Sequence, residues 1–195
     1  MSQIKLKHSG GNSVIIASPD SNPTQDRTLK LPSDGDGTIL TTNSSVGKIL
    51  QVIQAVKTDT ASFNATAFAD ISGLSVSITP SSSSNKVLVD CRLYLSAGTS
   101  AGTSAAKLNF VRGSTNIGQP SGSTSHMATF YSWGSNNYME PHAMNFLDSP
   151  STTSATTYKI QIGADGTAAP ILVNRYYSSD NYRGISTLTL MEVAA

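Results

Sequence analysis

Hydrophobic and polar residues alternate along much of this chain with a period of two. Apolar residues occupy positions 74, 76 and 78, and again positions 87, 89, 91, 93 and 95. Successive side chains of a strand point to opposite faces, so each run buries one face and exposes the other. Four serines at residues 81–84 separate the two runs and mark a connection. The pattern predicts an all-β protein.

The same pattern recurs in short runs from residue 49 to the end of the chain, with turn residues between them. The predicted strands are 49–57, 68–71, 74–79, 86–95, 107–112, 127–133, 142–147, 157–162, 171–177 and 186–193. Several short strands with turn signals between them are typical of a sandwich or barrel. We therefore predict a β-sandwich head domain over residues 48–195.

Residues 1–47 have a different character. Their apolar stretches are short, and glycine, proline, asparagine and aspartate separate them with turn chemistry. Such short strands bury too little area to offset the entropy of ordering the chain, unless another surface completes them. We expect three copies of this segment to share a narrow core around one axis. The residues expected to face that core are Leu29, Leu31, Ile39 and Leu40.

Composition excludes several classes of protein. Of the 195 residues only 13% are charged, the formal net charge is +1, and the lysines and arginines are scattered, which disfavours nucleic-acid binding. No apolar run approaches the roughly 20 residues that span a bilayer, and no hydrophobic region follows the first lysines. We expect neither membrane insertion nor a secretion signal. The single cysteine, Cys91, lies on the apolar phase of a strand and is predicted to be buried.

Residues that could carry catalysis or bind metal lack the necessary context. Residues 34–38 (DGDGT) resemble the start of a calcium loop, but Ser45 stands where an EF-hand has glutamate, which favours a tight turn. His8, His126 and His142 lack zinc spacing, although a threefold axis would bring three copies of His8 together. The strand–turn–helix setting of a serine nucleophile elbow is absent, and only two of the twelve acidic residues are glutamates. We expect no enzymatic activity, no cofactor and no metal site.

Tyrosine, tryptophan, asparagine and arginine concentrate in residues 130–138, 176–177 and 181–183. This mixture is found in binding loops because it combines flat apolar surface with hydrogen-bonding groups. Tyr131 and Trp133 share one phase of a predicted strand, so packing in a core or subunit contact is the alternative for Trp133. The candidate receptor-binding residues are Trp133, Asn136, Asn137, Tyr138, Asn181, Tyr182 and Arg183.

The chain contains several distinctive short motifs: IKLKHSGGN (residues 4–12), PDSNP (19–23), TLKLP (28–32), LSVSITP (74–80), NKVLV (85–89), LDSP (147–150) and TLMEVAA (189–195). These motifs resemble the short virion-associated fibre proteins of tailed phages, especially marine ones. The resemblance implies a homotrimer, with an intertwined N-terminal segment and a jelly-roll-like head similar in plan to trimeric C1q/TNF-type heads. It implies attachment to the virion and carries over no catalytic residue.

Together, pattern and resemblance predict a non-enzymatic phage structural protein, assembled in the host cytoplasm and carried on the virion. Residues 1–47 would trimerise and dock onto other virion proteins. The head would act as a trimeric tail fibre or tail-associated protein that binds a glycan or protein of the host surface. The alternative is a trimeric capsid decoration (cement) or head-fibre protein that stabilises the capsid and binds no host.

Overall fold

A computed structural model describes residues 3–7, 9–11, 13–17, 48–98, 104–122, 126–132, 138–165 and 169–195. The chain divides into two compact units, residues 1–44 and residues 45–195. In the first unit, strands β1 (Gln3–Lys7) and β2 (Ser13–Ala17) pair antiparallel, with Gln3 opposite Ala17. Leu29, Leu31, Ile39 and Leu40, predicted for the trimer core, lie outside the described residues, as do His8 and residues 34–38.

In the second unit every regular element of the described residues is a β-strand, which confirms the all-β prediction. The strands are β3 (Ile49–Lys57), β4 (Ala61–Phe63), β5 (Ala69–Ile78), β6 (Lys86–Ala97), β7 (Ser104–Arg112), β8 (Thr115–Ile117), β9 (Ala128–Ser132), β10 (Glu140–Asp148), β11 (Thr156–Ala164), β12 (Ile171–Val173) and β13 (Ser186–Val193).

These strands form two antiparallel sheets in a sandwich-like arrangement. The first sheet runs β3–β13–β6–β10, and the short strands β12 and β4 extend it beyond the end of β13. The second sheet runs β5–β11–β7, and β7 also pairs with β8 and β9. The chain crosses between the sheets from β5 to β6 to β7, and again from β9 to β10 to β11.

The hydrophobic core lies between the two sheets and follows the predicted alternation. The inward positions of β5 and β6 are all buried. The large aromatic side chains of the core are Phe110 on β7, Phe130 on β9 and Tyr158 on β11. Fully burying one such side chain contributes about 1.5–3 kcal/mol. Cys91 is completely buried in this core, as predicted.

Several strands differ from their predicted limits by one to three residues, and three larger differences have a physical reason. Residues 68–71 and 74–79 were predicted as separate strands, but β5 runs unbroken because Gly73, at φ 84°, lets the strand bulge against β11. The strand predicted over 171–177 ends at Val173, because Asn174 adopts φ 60° and turns the chain. Strands β4 and β8 were not predicted, since three residues are too few to show an alternation.

Candidate binding site

A hairpin-like loop, residues 174–184, connects β12 to β13 and carries a pair of tyrosines. The Tyr176 amide donates to the Tyr182 carbonyl at 3.1 Å, and the Gly184 amide donates to the Asn174 carbonyl at 3.2 Å. These bonds place Tyr176 and Tyr182 side by side on the two arms. Their rings meet edge to face, with centroids 5.9 Å apart and planes at 87°.

Asn174 anchors this hairpin to the sandwich. Its Nδ2 donates to the carbonyls of Lys57 at 2.8 Å and Asp59 at 3.0 Å, and its Oδ1 accepts the Ser186 hydroxyl at 2.6 Å. The Asn174 amide also donates to the Tyr94 carbonyl at 2.9 Å. Asparagine is one of the few non-glycine residues that enter the left-handed region readily, so this turn and its side-chain bonds both favour asparagine.

Of the residues that the structure describes, Tyr138, Met139, Tyr176 and Tyr182 line an open cavity of about 530 Å³ beside the hairpin. Tyr138 and Met139 belong to the segment that leads into β10, so two distant parts of the chain meet here. Tyr138 is 62% exposed and Tyr182 is 66% exposed. We name this site the tyrosine cavity.

The charged residues of the hairpin are engaged with one another. The Asp180 carboxylate lies 3.3 Å from Nη1 of Arg175 and 3.9 Å from Nη2 of Arg183. Nε of Arg183 also donates to the Asp180 carbonyl at 2.7 Å. The described side chains that line the cavity are three phenols and a thioether, and none of them is charged.

The structure brings only some of the candidate receptor-binding residues together. It brings Tyr138 and Tyr182 together in the cavity wall. Arg183 turns towards Asp180 instead, and exposed Asn181 has its amide bonded to the Ser179 hydroxyl at 3.2 Å. Trp133, Asn136 and Asn137 lie outside the described residues.

Met139 was not among the predicted site residues. Its position directly after Tyr138 is the signal that could have found it, because a thioether packs well against aromatic rings. Tyr176, which lay within the aromatic segments noted in the sequence, also belongs to the cavity wall.

A second exposed feature lies on the outer face of the first sheet. Val52, Met191, Leu88 and Leu147 are consecutive cross-strand neighbours on β3, β13, β6 and β10, and we name them the apolar row. Their strand neighbours Ile53, Leu190, Val89 and Phe146 face the core. Val52 is 57% exposed and Leu147 is 46% exposed. The next row along the same face is polar and comprises Gln54, Thr189, Asp90 and Asn145.

The two described histidines have separate environments. His142 meets Phe130 edge to face at 4.8 Å, and burial lowers its pKa, although the Glu140 carboxylate 3.9 Å away opposes that shift. His126 Nε2 shares a hydrogen bond of 2.9 Å with the Thr129 hydroxyl. Within the described ranges, no group of three or more potential metal ligands occurs.

Those ranges also contain no helix long and apolar enough to cross a membrane.

Comparison with known proteins gives similarities of structure alone. No protein-family model matches the chain, and no curated protein sequence matches it. The tripod from the baseplate of bacteriophage Tuc2009 is similar at 16% identity and a TM-score of 0.39, covering 93% of this chain and 84% of the tripod chain.

Two structures from infectious bursal disease virus are also similar, both at 13% identity and with 94% of this chain covered. The match to the virus-derived T=1 particles has a TM-score of 0.37 and covers 45% of that chain. The match to the VP2 subviral particle has a TM-score of 0.36 and covers 47% of that chain. This chain thus spans less than half the length of either.

Proposed function

We propose that this chain is a non-enzymatic structural protein of a phage virion, a homotrimeric tail fibre or tail-associated protein that binds the host surface. The tyrosine cavity carries the proposal. Tyr138 and Tyr182 hold large, flat, amphipathic surfaces in solvent at the mouth of an open cavity, which is the composition of a recognition surface. Docking onto the virion is assigned to residues 1–47, and the head to residues 48–195.

The position of the cavity supports an adhesive role. The Ala194 amide donates to the Lys48 carbonyl at 2.7 Å, so the chain enters the sandwich beside Lys86, where β6 begins. Tyr94, near the other end of β6, bonds to the hairpin. Eight residues of strand separate Lys86 from Tyr94, or about 26 Å at 3.3 Å per residue. The cavity therefore lies at the end of the sandwich opposite Lys48.

The apolar row supports self-association. Val52 and Leu147 are exposed and Leu88 and Met191 are half-buried. An apolar row that is open to water across four strands is unfavourable, and such surfaces mark interaction sites. Three copies arranged around an axis would cover the row with heterologous contacts that close into a ring. The strand orders β3–β13–β6–β10 and β5–β11–β7–β9 support a jelly roll, in line with the trimeric head that the resemblance implies.

A trimer would also raise the overall affinity for a surface that carries many copies of the ligand, even if each site binds weakly. Once one cavity is engaged, the other two bind in effectively intramolecular steps, which raises the overall avidity by factors of roughly 100 to 10,000. Repeated groups on a cell surface are suitable ligands for such an arrangement.

Immunogold labelling of intact phage particles with antibodies against the sandwich tests this proposal. We expect gold at the tail, and at its distal end if the protein is a fibre. Gold spread over the head would contradict host attachment and favour the capsid decoration protein. Particles without gold would remove the virion role altogether. Particles of a phage that lacks this sequence serve as the control.

A further inference from the structure

We infer that the tyrosine cavity binds an uncharged sugar ring of a surface glycan. This inference rests on the proposed host-binding function and names the chemical class of its ligand. Its evidence is the shape of the tyrosine pair, the absence of charge from the described lining and the anchoring of the hairpin.

The shape of the lining suits a pyranose ring. One face of such a ring presents C–H groups and its rim presents hydroxyls, so it needs both flat apolar surface and hydrogen-bonding groups. Tyrosine supplies both from one side chain. The planes of Tyr176 and Tyr182 meet at 87°, which makes a corner, and Tyr138 and Met139 complete the wall. A cavity of about 530 Å³ lies within the usual range for small-molecule sites.

The electrostatics of the site favour an uncharged ligand. Proteins favour an arginine directed at the carboxylate when they recognise an anionic sugar, because its paired N–H groups match the two oxygens. Both arginines of the hairpin instead lie close to Asp180, Arg175 at 3.3 Å and Arg183 at 3.9 Å. The described lining offers phenol hydroxyls, which donate to and accept from sugar hydroxyls without selecting a charge.

The anchored hairpin lowers the cost of binding. Ordering a loop around a ligand subtracts from the affinity, whereas a loop that is already fixed avoids this loss. The Asn174 side chain bonds the base of the hairpin to the carbonyls of Lys57 and Asp59, and the Ser96 hydroxyl donates to the Arg175 carbonyl at 2.7 Å. Tyr176 and Tyr182 are thus held in place before a ligand arrives.

Saturation-transfer difference NMR on the full chain tests the inference, because it detects weak ligands and shows which ligand protons touch the protein. The neutral probes are D-glucose, D-galactose and N-acetyl-D-glucosamine, and the anionic probes are D-glucuronic acid and N-acetylneuraminic acid. We expect transfer to the ring C–H protons of at least one neutral sugar. Binding of the anionic probes alone would overturn the inference, as would binding of none.

Substitutions at the most exposed tyrosine locate the site. Tyr182→Ala should weaken binding of the neutral sugar roughly tenfold, the effect of losing about 1.4 kcal/mol of aromatic contact. Tyr182→Phe keeps the ring and should bind within about threefold of the original chain, because only the hydroxyl is lost. Ile185→Ala is the matched control, since Ile185 is 55% exposed next to the hairpin but outside the described lining. An unchanged affinity in Tyr182→Ala would overturn the assignment of the cavity.

The outcomes separate this inference from the proposed function. Gold at the phage tail without sugar binding would leave the virion role intact and remove the sugar site. Sugar binding that depends on Tyr182, without gold on any particle, would establish the sugar site and remove the virion role.

Discussion

Glu192 is the most deeply buried carboxylate among the described residues. The sheet buries it almost completely, yet its oxygens accept four hydrogen bonds, from the Asn85 and Gln51 amides at 2.6 Å each and from the Ser81 amide and hydroxyl at 2.6 and 2.7 Å. Burial by itself raises the pKa of Glu192, but the hydrogen bonds from Asn85, Gln51 and Ser81 outweigh it and lower the pKa to about 2. One carboxylate thereby fastens the β5–β6 connection to the end of the first sheet.

Replacing Glu192 with glutamine should therefore destabilise the fold and change its acid response. Glutamine offers an NH₂ group where the Gln51 amide donates, so at least one hydrogen bond to a charged group is lost, at a cost of roughly 1.5–3 kcal/mol. Because the folded pKa lies below the ordinary value of 4.5, the carboxylate stabilises fully above pH 4.5 and progressively less as the pH falls towards about 2. Urea unfolding at a series of pH values should show this loss in the original chain and a flatter profile in Glu192→Gln.

Glu140→Gln is the matched control for that experiment. Glu140 is the other glutamate of the chain, and its side chain is 56% exposed, so its replacement should change the free energy of unfolding by less than about 0.5 kcal/mol. Equal effects of the two substitutions would contradict the role given to the buried network.

The hairpin of residues 174–184 depends on its first residue. Asn174 is fully buried, adopts a left-handed conformation and makes three side-chain hydrogen bonds to the rest of the sandwich. Gly184, at the other end of the hairpin, packs closely on Tyr94, since an added Cβ would lie 2.7 Å from that side chain. The two ends are therefore fixed more firmly than the exposed tip around Asn181.

Asn174→Ala should loosen this hairpin. Alanine loses the side-chain bonds and is strained at φ 60°, so the combined cost is about 2 kcal/mol or more. Hydrogen exchange should accelerate most at the amides of Tyr176 and Gly184, which close the hairpin. Asn181→Ala, at the tip, is the control and should leave both amides protected. Protection that survives Asn174→Ala would show that the backbone bonds alone hold the hairpin.

The first sheet is apolar on both of its faces at one level of the strands. The inner face forms half of the core, and the apolar row lies on the outer face at the same level of the strands. A strand that is apolar on both faces is normally covered on both. The described residues cover only the inner one, and the outer face is the one that a second copy would cover in the proposed trimer.

Leu147→Asp should dissociate the proposed trimer. Burying an unpaired carboxylate in a subunit contact costs several kcal/mol, whereas the same side chain in the monomer stays in solvent. Sedimentation velocity at micromolar concentration should change from trimer to monomer, with the thermal unfolding of the sandwich little affected. Asn145→Asp, on the same strand and in the adjacent polar row, adds the same charge and should have a smaller effect. A Leu147→Asp trimer would exclude the apolar row from the interface.

Sequence patterns predicted most strands well, but they did not predict the bulge, the turn or the contact between distant segments. Strands β3 and β13 have the predicted limits because polar residues follow β3 at 58–60 and a glycine, Gly184, stands shortly before β13. The bulge at Gly73 and the turn at Asn174 were missed, since both depend on backbone angles that only the neighbouring strands impose. Tyr138 and Tyr182 were recognised individually from their composition. Their convergence depends on pairing between distant strands, which no local pattern contains.

Because Cys91 is buried, the folded protein should not react with thiol reagents. Desolvation, together with the nearby Asp90 carboxylate, raises the pKa of this thiol far above its ordinary value, so almost no thiolate exists at neutral pH. A cysteine engineered at the tip of the hairpin would thus be the only reactive thiol, ready for a fluorophore or a cross-linker. Conversely, the modification of Cys91 itself would time how often the centre of the sandwich opens to solvent.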